Sequence, residues 1–194
     1  MWNIPNILTL LRILLIPVFV GIFYAPVPWS RLACALVFGV AAITDWLDGY
    51  LARRWEQTSP FGAFLDPVAD KLMVAVALVL LVQADPRAAL ALPAAVIIGR
   101  EIAVSALREW MAELGTRSRV AVSLVGKFKT TAQMIAIILL ILDDSLFGIP
   151  VYGLGVVLLY IAAALTLWSM LIYLRAAWPS LSAPAPPRGM KDPS

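Results

Sequence analysis

The chain has 194 residues, of which 62% are hydrophobic and 14% charged, whereas soluble domains carry about 45–50% apolar and about 25% charged residues. One globular core cannot hide this much apolar surface, which excludes a cytosolic enzyme, a secreted disulfide scaffold and a disordered chain. The lack of histidine and the single Cys34 exclude His-based acid–base chemistry and a Cys-rich metal site. The mild excess of cations is not gathered on a polar domain, so nucleic acid is not expected as a partner, and an integral membrane protein remains.

Six apolar segments are long enough to cross a bilayer, which takes about 20 residues. They run over residues 8–24, 31–53, 64–84, 88–114, 120–142 and 151–176. Turn-forming residues separate several of them, at Pro26-Val27-Pro28, Asp85-Pro86, Gly115 and Gly148-Ile149-Pro150. The pattern predicts an all-α, polytopic membrane protein with six transmembrane helices in one domain, residues 1–177.

The two ends of the chain are expected to lie outside the bilayer. Residues 1–6 are too short to span it and are expected to form an interfacial segment anchored by Trp2. Residues 178–194 contain five prolines and are expected to be a disordered tail. If the N-terminus is cytoplasmic, the outer connections hold only Arg31 and Arg87. The positive-inside rule therefore predicts that both termini face the cytoplasm.

Four aspartates interrupt the second and third segments, where ionisable groups are costly and often mark function. Asp45 lies 14 residues after Arg31, about 21 Å along a helix, and Asp48 follows at i+3 on the same face. Asp66 and Asp70 are spaced i, i+4 at the cytoplasmic start of the third segment. Neighbouring antiparallel helices would bring all four carboxylates to similar depth, where one or two hard divalent cations would relieve their repulsion. A helix cap or a solvated helix face would explain one such aspartate pair. It explains two aspartate pairs on neighbouring segments less well.

Small residues and an arginine accompany these aspartates. Gly49, Ala52 and Gly62 let a bulky ligand approach the backbone, and Arg53 can bind a phosphate bidentately. Together with the acids they describe a site for a nucleotide pyrophosphate. The complete pattern is Asp45-x2-Asp48-Gly49-x2-Ala52-Arg53-x8-Gly62-x3-Asp66-x3-Asp70. It resembles the eight-residue motif of the CDP-alcohol phosphotransferase family at every position. The similarity extends from about Asn3 to Arg175, through the stretches NIPNILTLLR, GREIAVSALREWMAELG and GKFKTTAQ.

The resemblance implies transfer of a phosphatidyl group from CDP-diacylglycerol to an alcohol, with release of CMP. It implies that Asp45, Asp48, Asp66 and Asp70 hold two divalent cations, Mg²⁺ or Mn²⁺, and that Asp70 is the general base. It also implies that the CDP portion lies against Gly49, Ala52, Arg53 and Gly62. A carboxylate base agrees with the lack of histidine. A homodimer in the bacterial inner membrane is expected on the same ground.

A second group of charges is predicted to bind the acceptor in a polar cavity that faces the cytoplasm. Arg100 and Arg108 lie eight residues apart on one face of the fourth segment, and Lys127 and Lys129 lie on the cytoplasmic half of the fifth. Such a cationic pocket indicates an anionic acceptor, and the branch of the family that the chain resembles uses sn-glycerol 3-phosphate. Two alternatives stay open, namely an ion pair between Arg100 and Glu101, and a topological role for the lysines.

Three polar residues near the inner interface are candidates for contacts with the lipid head group: Asn6, Thr9 and Arg12. A purely topological role is the alternative for Arg12. Two other functions also stay open. One is a related transferase with a different acceptor, such as inositol phosphate or serine, and the other is a divalent-cation transporter. The transporter is disfavoured because the acids cluster in the inner half only and no inverted repeat is apparent.

Overall fold

A computed structural model of the chain describes residues 4–55, 60–113, 124–143 and 150–182. These residues form helices and contain no strand, which confirms the predicted all-α class. The helices are α1 (Ile4–Phe23), α2 (Ser30–Trp55), α3 (Pro60–Ala84), α4 (Ala88–Glu113), α5 (Leu124–Leu142) and α6 (Val151–Ser182).

Three of the helices contain stretches that are long and apolar enough to cross a membrane. These stretches are Asn6–Phe23 in α1, Ala88–Met111 in α4 and Val151–Arg175 in α6. The described part of α5 contains a shorter apolar stretch, Phe128–Leu142. Large apolar side chains also point outward, among them Leu14, Ile102 and Trp168, each more than half exposed. An outward apolar surface of this kind suits contact with lipid.

The helix bounds differ from the sequence prediction at both ends of the chain. Residues 4–6 were expected in a separate interfacial segment, but they form the first turn of α1. Pro5 is compatible with that position because the first N–H groups of a helix have no intrahelical partner. At the other end, α6 continues to Ser182, so residues 178–182 are helical rather than disordered. Four of the five prolines that suggested disorder lie after Ser182, outside the described residues together with Trp2.

The end of the bundle that holds the α1–α2 and α3–α4 connections is fastened by polar contacts, and we call it the connection end. Its contacts join Tyr24 with Gln83, Tyr152 with Asp85, and Arg31 with Asp143. In the short α3–α4 connection, Asp85 accepts hydrogen bonds from Nε and Nη2 of Arg87, both at 2.7 Å. These contacts and connections bring the C-terminal ends of α1, α3 and α5 to the same end of the bundle as the N-terminal ends of α2, α4 and α6. Consecutive helices therefore run antiparallel.

Buried apolar and buried polar residues are separated along the bundle axis. The continuous apolar core lies toward the connection end and includes Phe19, Phe38, Leu78, Ile97, Ile137, Leu140 and Leu159. Buried polar residues lie toward the other end, which we call the polar end; they are Asn6, Thr9, Arg12, Arg100, Lys129, Gln133 and Thr166. The apolar half holds the helices together, and the functional candidates gather in the other half.

Helix packing places the aspartate-bearing helices beside each other and links them to the rest of the bundle. α1 packs against α2 and α3, α5 packs against α6, and α4 packs against α6 and α3. α2 also contacts α3 and α5. α5 and α6 approach each other closely at Gly155, where an added Cβ would lie 3.0 Å from Cγ of Leu140. A larger side chain at Gly155 would therefore push these two helices apart.

Candidate active site

An ion pair between α1 and α2 lies at the polar end. Nη1 of Arg12 donates to Oδ1 of Asp45 at 2.6 Å. The Arg12 side chain is 1% exposed and the Asp45 side chain is 39% exposed. A guanidinium buried to this degree requires a charged partner, and Asp45 supplies it. The arrangement leaves much of the Asp45 carboxylate open while fixing its orientation.

Arg12 also lines an open cavity together with Asp70. The cavity lies between α1, α2, α3 and α5, and its other walls are apolar: Phe38, Ala41, Ala42, Met73, Val74 and Met134. The carboxylate of Asp70 is within electrostatic range of Asp45 and Glu101 and of the cations Arg12 and Lys71. The two described aspartates of the motif thus interact electrostatically between α2 and α3.

The remaining motif positions are placed by the helices that carry them. Asp48, Gly49, Ala52 and Arg53 follow Asp45 on α2, and Asp66 precedes Asp70 by one turn of α3. Their side chains lie outside the described part of the structure. Gly62 is buried in the first turn of α3. Since α2 and α3 pack together, the predicted neighbourhood of the two aspartate pairs holds at the level of the helices.

The chemistry of the described donors fits a hard divalent cation. Asp45 and Asp70 offer carboxylate oxygens, which Mg²⁺ and Mn²⁺ prefer, and neither histidine nor a nearby cysteine competes with them. Cys34 is fully buried in the apolar core, where its Sγ lies 3.7 Å from the carbonyl oxygen of Phe19. Among the described side chains, no group of three or more His, Cys, Asp or Glu residues forms a metal site. The described side chains include those of Asp45 and Asp70, but not those of Asp48 and Asp66.

A second polar group, the cation cluster, consists of Arg100, Glu101, Lys129 and Ser169. Oε1 of Glu101 accepts hydrogen bonds from Nη1 of Arg100 at 2.9 Å and from Nζ of Lys129 at 2.7 Å. Nη2 of Arg100 donates to Oγ of Ser169 at 2.7 Å. The side chains of Arg100 and Lys129 are only 8% and 9% exposed. The cluster therefore joins α4, α5 and α6 through two buried cations.

Lys71 connects the cation cluster to the helix that carries Asp70. Its Nζ donates to Oγ of Ser105, which in turn donates to the backbone carbonyl of Glu101 at 2.5 Å. Lys71 directly follows Asp70 on α3, and Lys129 is within electrostatic range of Asp70. The cations thus lie beside the candidate base rather than at a separate place in the bundle.

These contacts decide several of the sequence predictions. Arg100 and Lys129 come together at the polar end, whereas the side chains of Arg108 and Lys127 lie outside the described residues. The alternative of an Arg100–Glu101 ion pair is confirmed. Asn6 and Thr9 are buried at 2% and 0% exposure rather than open at the membrane interface. A lipid head group that contacts Asn6 or Thr9 would therefore have to enter the bundle.

Sequence reasoning missed the neutral and basic partners of this site: Lys71, Ser105 and Ser169. The signal in the sequence that could have identified them is the spacing of polar residues within otherwise apolar helices. Thr166 and Ser169 are spaced i, i+3 in an otherwise apolar stretch of α6, and Gln133 lies one turn after Lys129 on α5. Polar residues at such depth usually face the interior of a bundle, and all of these are buried or half-buried.

Comparison with known proteins identifies the class that this fold and site define. The profile of the CDP-alcohol phosphatidyltransferase family matches residues 2–168, and the chain belongs to that family. It is therefore a membrane transferase of phospholipid biosynthesis, which confirms the resemblance seen in the aspartate motif.

Similar proteins from several bacteria carry the name of one member of the family. A protein of Pseudomonas fluorescens named CDP-diacylglycerol–glycerol-3-phosphate 3-phosphatidyltransferase is 63% identical over 180 residues, 92% of each chain. A protein of the same name from Pectobacterium atrosepticum is 59% identical over 94% of this chain and 99% of its own. The Escherichia coli K12 protein of that name is 58% identical over 91% of this chain and 95% of its own.

Proposed function

We propose that the chain transfers the phosphatidyl group of CDP-diacylglycerol to sn-glycerol 3-phosphate, giving phosphatidylglycerophosphate and CMP. The observation that carries this proposal is the 58–63% identity, over nearly the whole chain, to proteins named for that reaction. The buried cations beside Asp70 support it independently, because they suit an acceptor that carries a phosphate. An uncharged acceptor would leave them without a function in binding.

Asp45, Asp48, Asp66 and Asp70 would hold two Mg²⁺ or Mn²⁺ ions, and Gly49, Ala52, Arg53 and Gly62 would line the CDP portion of the donor. When bound, the ions would neutralise charge on the donor diphosphate. The open Asp45 carboxylate and its fixed orientation support the first assignment. In this arrangement Arg12 acts on the donor site through Asp45, and it also reaches the cavity that Asp70 lines.

Asp70 would act as the general base. A primary hydroxyl of the acceptor attacks the phosphorus that carries the diacylglycerol, and its proton passes to the Asp70 carboxylate. The bond from that phosphorus to the CMP oxygen breaks, and CMP leaves with the electron pair. A direct displacement is favoured because Cys34 is buried in the core and histidine is lacking.

The acceptor phosphate would bind to Arg100 and Lys129, with Arg108 and Lys127 on the same helices. Asn6 and Thr9 would line the donor side of the polar end. The proposal includes six membrane spans, both termini in the cytoplasm, a cytoplasm-facing cavity, the bacterial inner membrane and a homodimer. Antiparallel helices support the topology, since they bring every predicted inner end to the polar end.

An acceptor panel tests the proposed reaction. Purified protein in detergent is given radiolabelled CDP-diacylglycerol and, in turn, sn-glycerol 3-phosphate, serine or inositol phosphate. We expect CMP release and a new acidic lipid with sn-glycerol 3-phosphate, and loss of both on chelation. Faster turnover with serine or inositol phosphate would assign the chain to another branch. Cation flux in liposomes without CMP release would instead assign it to transport.

A further inference from the structure

Glu101 is the centre of the cation cluster, although no reaction step uses it. A single oxygen, Oε1, accepts from both Arg100 and Lys129, at 2.9 Å and 2.7 Å. Ser169 holds the other terminal nitrogen of Arg100 and itself donates to the carbonyl oxygen of Thr166 at 3.1 Å. Both cations are therefore fixed toward Oε1 of Glu101, and these contacts join α4, α5 and α6.

The charges around Glu101 suit an anionic group. Arg100, Lys129 and Lys71 all interact electrostatically with Glu101, and Lys129 and Lys71 also interact with Asp70. Three cations therefore face two carboxylates, and one positive charge is in excess. A phosphate monoester carries a charge of about −1.5 to −2 at neutral pH. Two buried cations without Glu101 would repel each other and lose the contacts that orient them.

One hydrogen-bond donor of the cation cluster is also available to a ligand. Within the described part of the structure, Nε of Arg100 is buried and has no hydrogen-bond partner. Buried donors of charged groups are costly to leave unpaired, and a native structure usually reserves them for a ligand or water. An incoming phosphate oxygen could accept from this nitrogen without displacing Glu101 or Ser169.

We propose that Glu101 is a positioning residue for the acceptor: it holds Arg100 and Lys129 so that both face one phosphate group. This inference rests on the proposed function, because it assigns the cluster to sn-glycerol 3-phosphate. In this role Glu101 acts through the two cations and contacts neither the reacting hydroxyl nor the donor. Its removal therefore weakens acceptor binding more than it affects the chemical step or the donor site.

Kinetics of Glu101→Gln separate this role from a merely structural one. The amide keeps the shape and one acceptor oxygen but loses the charge that holds both cations. We expect the KM for sn-glycerol 3-phosphate to rise about tenfold, equivalent to about 1.4 kcal/mol. The KM for CDP-diacylglycerol, the inhibition constant of CMP and kcat should each stay within twofold. Glu101→Asp, which restores the charge on a shorter side chain, should recover part of the acceptor affinity.

Glu109→Gln is the matched control, since Glu109 is exposed on the same helix. Wild-type protein and this control must make product from sn-glycerol 3-phosphate; failure at that step contradicts the proposed function itself. If both are active and Glu101→Gln keeps the wild-type acceptor KM, or binds the acceptor more tightly, only the positioning role is wrong.

A second variant covers the case in which Glu101→Gln does not fold. Ser169→Ala removes the other anchor of Arg100 and should raise the acceptor KM about threefold, with the donor KM unchanged. Equal increases in both KM values, together with a lower unfolding temperature, would indicate a structural role and would overturn the proposal. An unchanged acceptor KM in Ser169→Ala would overturn it as well.

Discussion

Replacing Arg12 with methionine removes the buried half of the Arg12–Asp45 ion pair and leaves an unbranched apolar side chain in its place. A hydrogen bond to a charged group contributes about 1.5–3 kcal/mol. Asp45 is 39% exposed and regains hydration when the pair is broken, so we expect a cost in the lower part of that range, about 1.5–2 kcal/mol. In a chain of this length that lowers the unfolding temperature by about 3–8 °C.

The Arg31–Asp143 pair at the connection end provides a matched control. Its N–O distance, 2.9 Å, is similar, but the two side chains are 50% and 37% exposed. Exposed pairs contribute about 0–1 kcal/mol, so Arg31→Met should lower the unfolding temperature by less than Arg12→Met does. CMP release should fall in Arg12→Met, because Asp45 loses its orientation, and should stay at the wild-type rate in Arg31→Met.

Thermal unfolding in one detergent, for Arg12→Met, Asp45→Asn and the double variant, isolates the pairwise term. We expect a coupling free energy of about 1 kcal/mol or more for Arg12 and Asp45. A coupling near zero, or equal losses of stability in Arg12→Met and Arg31→Met, would refute the inference that burial makes this pair strong.

Three further predictions concern other parts of the molecule. Asp70→Asn should keep donor binding, measured by equilibrium dialysis with labelled CDP-diacylglycerol, and abolish CMP release; near-normal turnover would remove Asp70 from the base role. Gly155→Leu should lower the free energy of unfolding by about 1–3 kcal/mol, since an added Cβ already meets Leu140 at 3.0 Å. Gly153→Ala, with nothing within 4 Å, should be neutral or slightly stabilising, and the same loss at both glycines would contradict this packing. Hydrogen bonds from Arg87 and then from Tyr152 hold the pKa of Asp85 well below its ordinary range. Its stabilising contribution is therefore present above the unfolded-state pKa of about 3.9 and is lost as the pH falls through the lower folded-state pKa. The difference in unfolding temperature between wild type and Asp85→Asn should shrink as the pH is lowered from 5 toward 2. A constant difference would contradict this stabilising contribution of Asp85.

The order of helices and the position of the acids could be predicted from sequence because both are local properties. Pro26, Pro86 and Pro150 mark breaks between helices, and the spacing of Asp66 and Asp70 fixes their common helix face. The ends of the chain were predicted less well. The shortness of residues 1–6 and Trp2 favour a separate interfacial segment, but residues 4–6 begin α1. The prolines of residues 178–194 favour disorder, but α6 accommodates Pro179 near its end.

The partners of the buried charges could not be predicted, because they depend on which helices are neighbours and how each is rotated. Arg12 and Asp45 are 33 residues apart, and Arg100 and Ser169 are 69 apart. Only the Arg100–Glu101 pair, between adjacent residues, was visible as an alternative. Sequence spacing predicted that Arg100 and Lys129 lie at a similar depth in the bundle. It did not reveal that one carboxylate oxygen contacts both side chains.

In the proposed function, the aspartates of α2 and α3 would hold a pair of divalent ions against the donor diphosphate. Electron paramagnetic resonance of purified protein titrated with Mn²⁺ in the presence of CDP-diacylglycerol tests it directly. We predict two bound Mn²⁺ per chain with spin coupling between them, as expected for ions about 3.5–4 Å apart, and loss of this signal in Asp45→Asn. Binding of Mn²⁺ that is unchanged in this variant, or turnover that survives complete removal of divalent ions, would contradict the proposed metal site.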